Sequence, residues 1–255
     1  MIEPAAAPQP RLEWLLAEVR AIVVETPRVK SLLLHVAAWR GHLPGQHVDV
    51  RLTAEDGYQA QRSYSIASPP EDELLTLTVE RLDDGEVSPY LVDHVRVGDQ
   101  FELRGPIGGY FVWTVATRGP LCLIAGGSGI APLAAMLRHR ARRKVRAPTR
   151  LLYSSRSLEE VIYRKELDAM SRGDSDLRLV NTLTREQPAG WTGYRRRIDK
   201  AMLAEVSFPP EQHPKNFICG PTPLVEDASR FLVELGHPFP TIKTERFGPT
   251  GGLAS

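Results

Sequence analysis

The chain has 255 residues, of which 42% are hydrophobic and 25% charged, and its formal charge is +1. That length holds two domains of ordinary size, and the near-neutral balance excludes a strongly basic nucleic-acid binder. No run approaches the ~18 consecutive apolar residues of a membrane span, and the two cysteines, Cys122 and Cys219, are too few for a disulfide framework or an iron–sulfur cluster. Met1 to Pro10 lacks the basic start and apolar stretch of a secretory signal and reads as a loose Ala/Pro leader. A cytoplasmic protein without membrane insertion is expected. The seven histidines form no His-x-x-x-His pair, so no metal site is expected.

Between residues 12 and 115 short β-type runs alternate with turns, at 21–24, 29–36, 46–52, 62–67, 74–81 and 100–104. Residues 11–24 are ambiguous, because Leu15, Leu16, Ala17 and Glu18 favour helix, but the following Val/Ile run and the Glu25-Thr26-Pro27 turn favour strand. A short helix is expected at 88–93. Many short strands at this spacing suggest an antiparallel barrel. From Leu121 the rhythm becomes strand, glycine turn, helix: strands at 121–125, 150–154, 177–183 and 216–219, helices at 131–143, 158–170, 198–206 and 223–235, and a last strand at 241–246. That alternation means a parallel sheet with helices on its faces. The expected division is a barrel domain at 12–115, a linker around 113–120, an α/β domain at 118–247 and a C-terminal extension at 248–255.

The first chemical signature is Arg62-Ser63-Tyr64-Ser65, preceded by Leu43-Pro44-Gly45-Gln46 and followed by Gly105-Pro106-Ile107-Gly108-Gly109-Tyr110-Phe111. An isoalloxazine needs an aromatic neighbour, hydrogen bonds to its ring nitrogens and a cation for its phosphate; Tyr64, Ser65 and Arg62 supply these. Taken alone, the same four residues also suit a half-exposed strand. Gly85-Glu86-Val87-Ser88 adds a loop entering a helix, where free backbone N–H groups suit a pyrophosphate.

The second signature, Gly127-Ser128-Gly129-Ile130-Ala131-Pro132, has proline where the third glycine of the common dinucleotide fingerprint would stand. It follows the apolar strand Leu121-Cys122-Leu123-Ile124-Ala125, and Pro132 suits the first turn of a helix. Cys219-Gly220-Pro221-Thr222-Pro223 repeats the layout and would open a second ligand-facing loop. A buried structural role is open for Cys219 and favoured for Cys122. Thr184-Arg185-Glu186-Gln187 and Tyr194-Arg195-Arg196-Arg197 suit either a 2′-phosphate or a solvated basic face. No acidic residue stands at the tip of Tyr153-Ser154-Ser155-Arg156, where one could hold a ribose diol, which favours NADPH. The run Arg138 to Lys144 suits the negative end of a helix dipole or a docking patch for an acidic protein.

These motifs, in this order and across nearly the whole chain, resemble the ferredoxin–NADP reductase superfamily. The resemblance implies a two-domain fold, an antiparallel Greek-key β-barrel for the flavin followed by a parallel-sheet α/β domain for NADP(H). It implies that Arg62 binds the FAD diphosphate, that Tyr64 lies against the ring system and Ser65 hydrogen-bonds flavin N5, and that Ser88 holds the pyrophosphate with Ser63, Gly85 and Val87 nearby. Phe247 would cover the flavin face, or else end the final strand as a core contact. The dinucleotide would meet Gly127, Ser128, Gly129, Pro132, Arg156, Thr184, Arg185, Arg195, Gly220 and Thr222. Ser65, Tyr64, Cys219 and Glu245 are the candidate catalytic residues, Cys219 by its closeness to the nicotinamide and Glu245 as an acid on the proton path.

The activity expected is transfer of electrons from NADPH through FAD to a separate one-electron carrier, most naturally ferredoxin-like. A reductase of free flavin, quinone or ferric chelates is the second enzymatic reading, and a nucleotide-sensing regulatory module is the non-enzymatic one. FMN in place of FAD stays open.

Overall fold

The computed structural model describes residues 12–247, so the leader and the 248–255 extension lie outside the described residues. Six strands form the first sheet: β1 (Leu15–Thr26), β2 (Val29–Val36), β3 (His47–Thr53), β4 (Gln59–Ser65), β5 (Leu75–Glu80) and β6 (Gln100–Ile107). Their order is β4-β3-β6-β1-β2-β5, with antiparallel neighbours. An antiparallel bridge between Ile66 and Leu77 joins the two ends of that order and closes a Greek-key barrel. Alternating side chains turn Leu32, Leu34, Val48, Val50, Leu77 and Val79 into its core.

Five parallel strands follow: β7 (Leu121–Gly126), β8 (Thr149–Ser155), β9 (Leu177–Leu183), β10 (Lys215–Pro221) and β11 (Ile242–Phe247). The helices are α1 (Ile130–Arg142), α2 (Arg164–Gly173), α3 (Lys200–Val206) and α4 (Thr222–Glu234). The sheet order β11-β10-β7-β8-β9 reverses direction between β7 and β10, the switch point at which open α/β sheets bind ligands outside the carboxyl ends of their strands. Two cores flank this sheet, one under α1 and α2 and one under α3 and α4.

The strand favoured for 11–24 is present from Leu15, where Leu15 to Glu18 pair with β6 (Leu15 opposite Leu103) despite their helical propensity. Two expectations shift. The second helix of the α/β half starts at Arg164 rather than 158, since residues 157–163 form turns and Tyr163 stands in the left-handed region at φ 58°. The short helix after the Gly85 loop is a π turn at Tyr90–His94. The expected linker is anchored at its start, where Trp113 is buried with its ring edge-on to His139 and its backbone N–H donates to Pro44 O.

Candidate flavin and dinucleotide sites

The Pro44-Gly45-Gln46 turn fixes the barrel against the second domain. A Cβ on Gly45, at φ +99°, would stand 1.8 Å from Phe111 O and 2.9 Å from Met136 Cε of α1, so only glycine fits. Gln46 ties this turn to the segment after β6: its Oε1 accepts from Leu43 N at 2.7 Å and its Nε2 donates to Gly108 O at 2.6 Å. The segment after β6 then reaches the parallel sheet, where Phe111 meets Phe217 edge-on at 5.3 Å and Tyr110 donates to Ile242 O.

On β4, alternation places Arg62 and Tyr64 on one face and Ser63 and Ser65 on the other. Arg62 is exposed and reaches Glu86 at 3.2 Å, which brings it to the Gly85–Ser88 loop although 24 positions separate Arg62 from Glu86. Tyr58 donates to the same carboxylate at 2.7 Å. The loop is tight: a Cβ on Gly85 would lie 2.9 Å from Ser88 Oγ, and that hydroxyl accepts from Leu82 N at 3.1 Å. Val87 is fully buried and anchors the loop, so its side chain faces the core rather than a ligand. Ser63 donates to Asp49, which Arg104 holds at 3.0 Å, so the Ser63 hydroxyl is already engaged. Tyr64 packs on the barrel core, and burial pushes its phenol well above the usual range. The Ser65 hydroxyl makes no hydrogen bond to protein among the described residues. His47 is its cross-strand neighbour, and burial lowers the affinity of that imidazole for a proton.

In the second domain β7 is buried throughout and delivers the chain into one 3-10 turn, Gly127–Gly129, before α1. Gly127 adopts φ +53°, and a Cβ on Gly129 would meet Cys219 O at 2.2 Å, so two strand-end loops pack backbone on backbone. Gly220 approaches Gly126 in the same way, at 3.2 Å from its prospective Cβ. Pro132 is buried in the first turn of α1, and Thr222 opens α4. Tyr153 braces the glycine turn from beneath, its hydroxyl donating to Gly127 O at 3.0 Å and accepting from Ile162 N.

A cleft of about 720 Å³ opens between the domains over these loops. Its walls include Thr26 to Val29 and Glu80 from the barrel, Gly126, Gly127, Ser155 and Arg156 from the centre of the sheet, and Thr184, Arg185, Arg197 and Phe247 further out. Thr184 and Arg185 are laced to the end of β8 through Ser155 O and Arg156 O. Arg195 turns away, donating to Trp191 O at 2.7 Å, and it is Arg197 that lines the cleft. Phe247 lines the cleft and also packs on the sheet core. Cys219 and Glu245 pair across β10 and β11. Burial pushes the Glu245 carboxyl up to about 7, and burial followed by the nearby Glu245 charge pushes the Cys219 thiol well above its ordinary value, so Cys219 stays a neutral thiol.

The sequence reading missed Glu80 and Tyr153. Glu80 accepts from Ser128 Oγ at 2.7 Å and faces Arg156 at 3.5 Å; no local pattern links residues 80, 128 and 156. Four members of the Arg138–Lys144 run are paired, Arg138 with Glu166, His139 with Glu71, Arg140 with Asp174 and Arg142 with Asp72. Arg138 also donates to Ala67 O, so much of this run fastens α1 to its surroundings.

Residues 16–112 match the family model for an oxidoreductase FAD-binding domain and residues 123–230 that for an oxidoreductase NAD-binding domain. The ferredoxin–NADP reductase B of Sorangium cellulosum is 33% identical over 244 residues, which cover 90% of this chain and 97% of that protein. The chain belongs to the ferredoxin–NADP reductase superfamily. It is also 31% identical over 210 residues to the glycine betaine monooxygenase reductase subunit of Chromohalobacter salexigens, covering 81% of this chain and 56% of that one. The chain thus spans about half the length of several curated relatives it matches. Among solved structures, the FAD/NAD-binding domain of Vibrio cholerae nitric oxide dioxygenase superposes with a TM-score of 0.83 at 27% identity, over 92% of this chain and 99% of that one.

The residues present fit both cofactors of the family. At the barrel, an exposed guanidinium, a glycine-tight loop and an unengaged Ser65 hydroxyl meet the needs of a flavin phosphate and ring. In the cleft the buried Ser155 Oγ has no partner in the protein, as expected of a group that faces a polar ligand. No described helix is long and apolar enough to cross a membrane.

Proposed function

We propose that this protein is an NADPH oxidoreductase that passes electrons through FAD to a separate one-electron carrier of the ferredoxin type. The observation that carries the reading is the shared seam. The glycine turn of the parallel sheet bonds directly to the barrel, Ser128 to Glu80, and the cleft over that turn is walled by both domains, so a dinucleotide bound there lies against the flavin domain. Bound there, the flavin supplies two-electron chemistry toward the nicotinamide and one-electron chemistry toward the carrier. Arg62 holds its phosphate, and the Ser65 hydroxyl is the donor offered to N5. Glu245, protonated below about pH 7, keeps an acid at the nicotinamide end of the seam, while the neutral Cys219 thiol adds no charge there.

The preference for NADPH rests on Arg185 and Arg197, which line the outer cleft beyond β8 and β9 without an acidic partner within ion-pair distance among the described residues. A guanidinium suits a 2′-phosphate far better than a diol. The carrier is proposed from the relatives, since one is named a ferredoxin–NADP reductase and another a monooxygenase reductase subunit. The test compares NADPH-dependent reduction of a ferredoxin with that of free flavin, a quinone and a ferric chelate. Faster turnover with the ferredoxin is expected; faster turnover with the small acceptors would reassign the partner.

A further inference from the structure

Glu80 belongs to the barrel, yet its side chain crosses the seam and lies over the glycine turn of the other domain. Its Oε2 accepts from Ser128 Oγ at 2.7 Å and stands 3.8 Å from where a Cβ of Gly127 would be; its Oε1 faces Arg156 Nη2 at 3.5 Å. The carboxylate lines the cleft and its side chain is 20% exposed. A glycine turn entering a helix, a hydroxyl and a guanidinium are the groups that receive a dinucleotide diphosphate at the switch point of an α/β sheet. In this protein a carboxylate already engages two of them.

From this we infer that Glu80 is an internal anion that competes with the dinucleotide diphosphate for Ser128 and Arg156. The inference rests on reading the cleft as the dinucleotide site. A diphosphate arriving at the glycine turn meets a fixed negative charge at close range, a repulsion that is strong in a partly enclosed cleft. Binding therefore requires Glu80 to rotate away and release both donors. Arg156 is not stranded by that exchange, because Glu160 holds its Nε at 3.2 Å. Glu80 ends β5, where its side chain swings without unpairing the strand. The opposite role, a brace that presets Ser128 and Arg156 for the ligand, predicts the opposite sign when the charge is removed.

The test is a titration of the flavin-loaded wild type, Glu80→Gln and Glu80→Ala with NADP+ and with adenosine 2′-monophosphate, which lacks the diphosphate, at low and high salt. Glu80→Gln is isosteric and can still accept from Ser128, so it removes charge without removing packing. Competition predicts that both variants bind NADP+ about tenfold more tightly at low salt, that the gain shrinks at high salt, and that the monophosphate binds as to the wild type. Unchanged or weaker NADP+ binding by Glu80→Gln would overturn the inference in favour of the brace. Equal tightening of the monophosphate would overturn it in favour of a general field effect. A wild type that binds neither NADP+ nor NAD+ would overturn the cleft assignment itself, and the inference with it.

Discussion

Individual charged residues carry the proposed flavin and dinucleotide sites. Arg62 is exposed and held only by Glu86 and Gln61 O, so its guanidinium is available to a phosphate. Arg62→Ala is expected to lower flavin affinity by roughly 1.5–3 kcal/mol, the worth of a charge-assisted hydrogen bond, and the ratio of flavin to protein after gel filtration reads it directly. Arg185→Ala should raise the KM for NADPH far more than that for NADH, because only NADPH carries the phosphate; equal losses would mark a general electrostatic role. Glu245 predicts a pH effect whose sign is fixed. Its folded pKa of about 7 lies above the ordinary 4.5, so between those values the native state keeps a proton that the unfolded chain has released. Stability therefore falls as pH rises through that window, and the penalty is complete above pH 7. Glu245→Gln should gain stability over the wild type above pH 7, with the gap closing toward pH 4.5 in thermal melts.

At the level of elements, α1 joins the ligand chemistry to the domain interface. Its N-terminus follows the glycine turn, and one turn before its end Arg138 makes a bidentate pair with Glu166 at 2.8 and 2.6 Å, donates to Ala67 O and stacks over Tyr163 at 4.4 Å. Tyr163 in turn hydrogen-bonds Thr78 of β5, which reaches Ser31 and, through it, the half-buried Glu25. Removing Arg138 unpairs groups in both domains at once, so Arg138→Ala should cost about 2–4 kcal/mol, visible as a lower denaturant midpoint. The sequence carried most of this architecture locally. The glycine turns, the period-two strands and the βα rhythm are short-range patterns, and they put β2, β9 and the core of β7 where the structure has them. It did not carry what depends on partners distant in the chain. The second helix of the α/β half is shortened by a tyrosine in the left-handed region whose hydroxyl bonds to the barrel. For the same reason Arg62 and the Gly85–Ser88 loop were legible as motifs, whereas Glu80, which unites Ser128 and Arg156, was not.

For the whole molecule, the proposed arrangement amounts to two nucleotide sites sharing one seam. The barrel closes on itself through Ile66 and Leu77, and the parallel sheet turns the carboxyl ends of β7 and β10 toward it. Contacts from Gly45, Phe111 and Tyr110 hold the halves in register on one side, and those from Thr78, Glu80 and Arg138 do so on the other. Such a seam is built to bring a nicotinamide and a flavin together, and that claim is open to one direct measurement. The purified protein, loaded with flavin and freed of oxygen, is mixed with NADPH or NADH in a stopped-flow instrument while its yellow colour is followed. Rapid bleaching by NADPH, with NADH slower or needing higher concentration, is the expected result. A flavin that stays oxidised with both nucleotides would contradict the account.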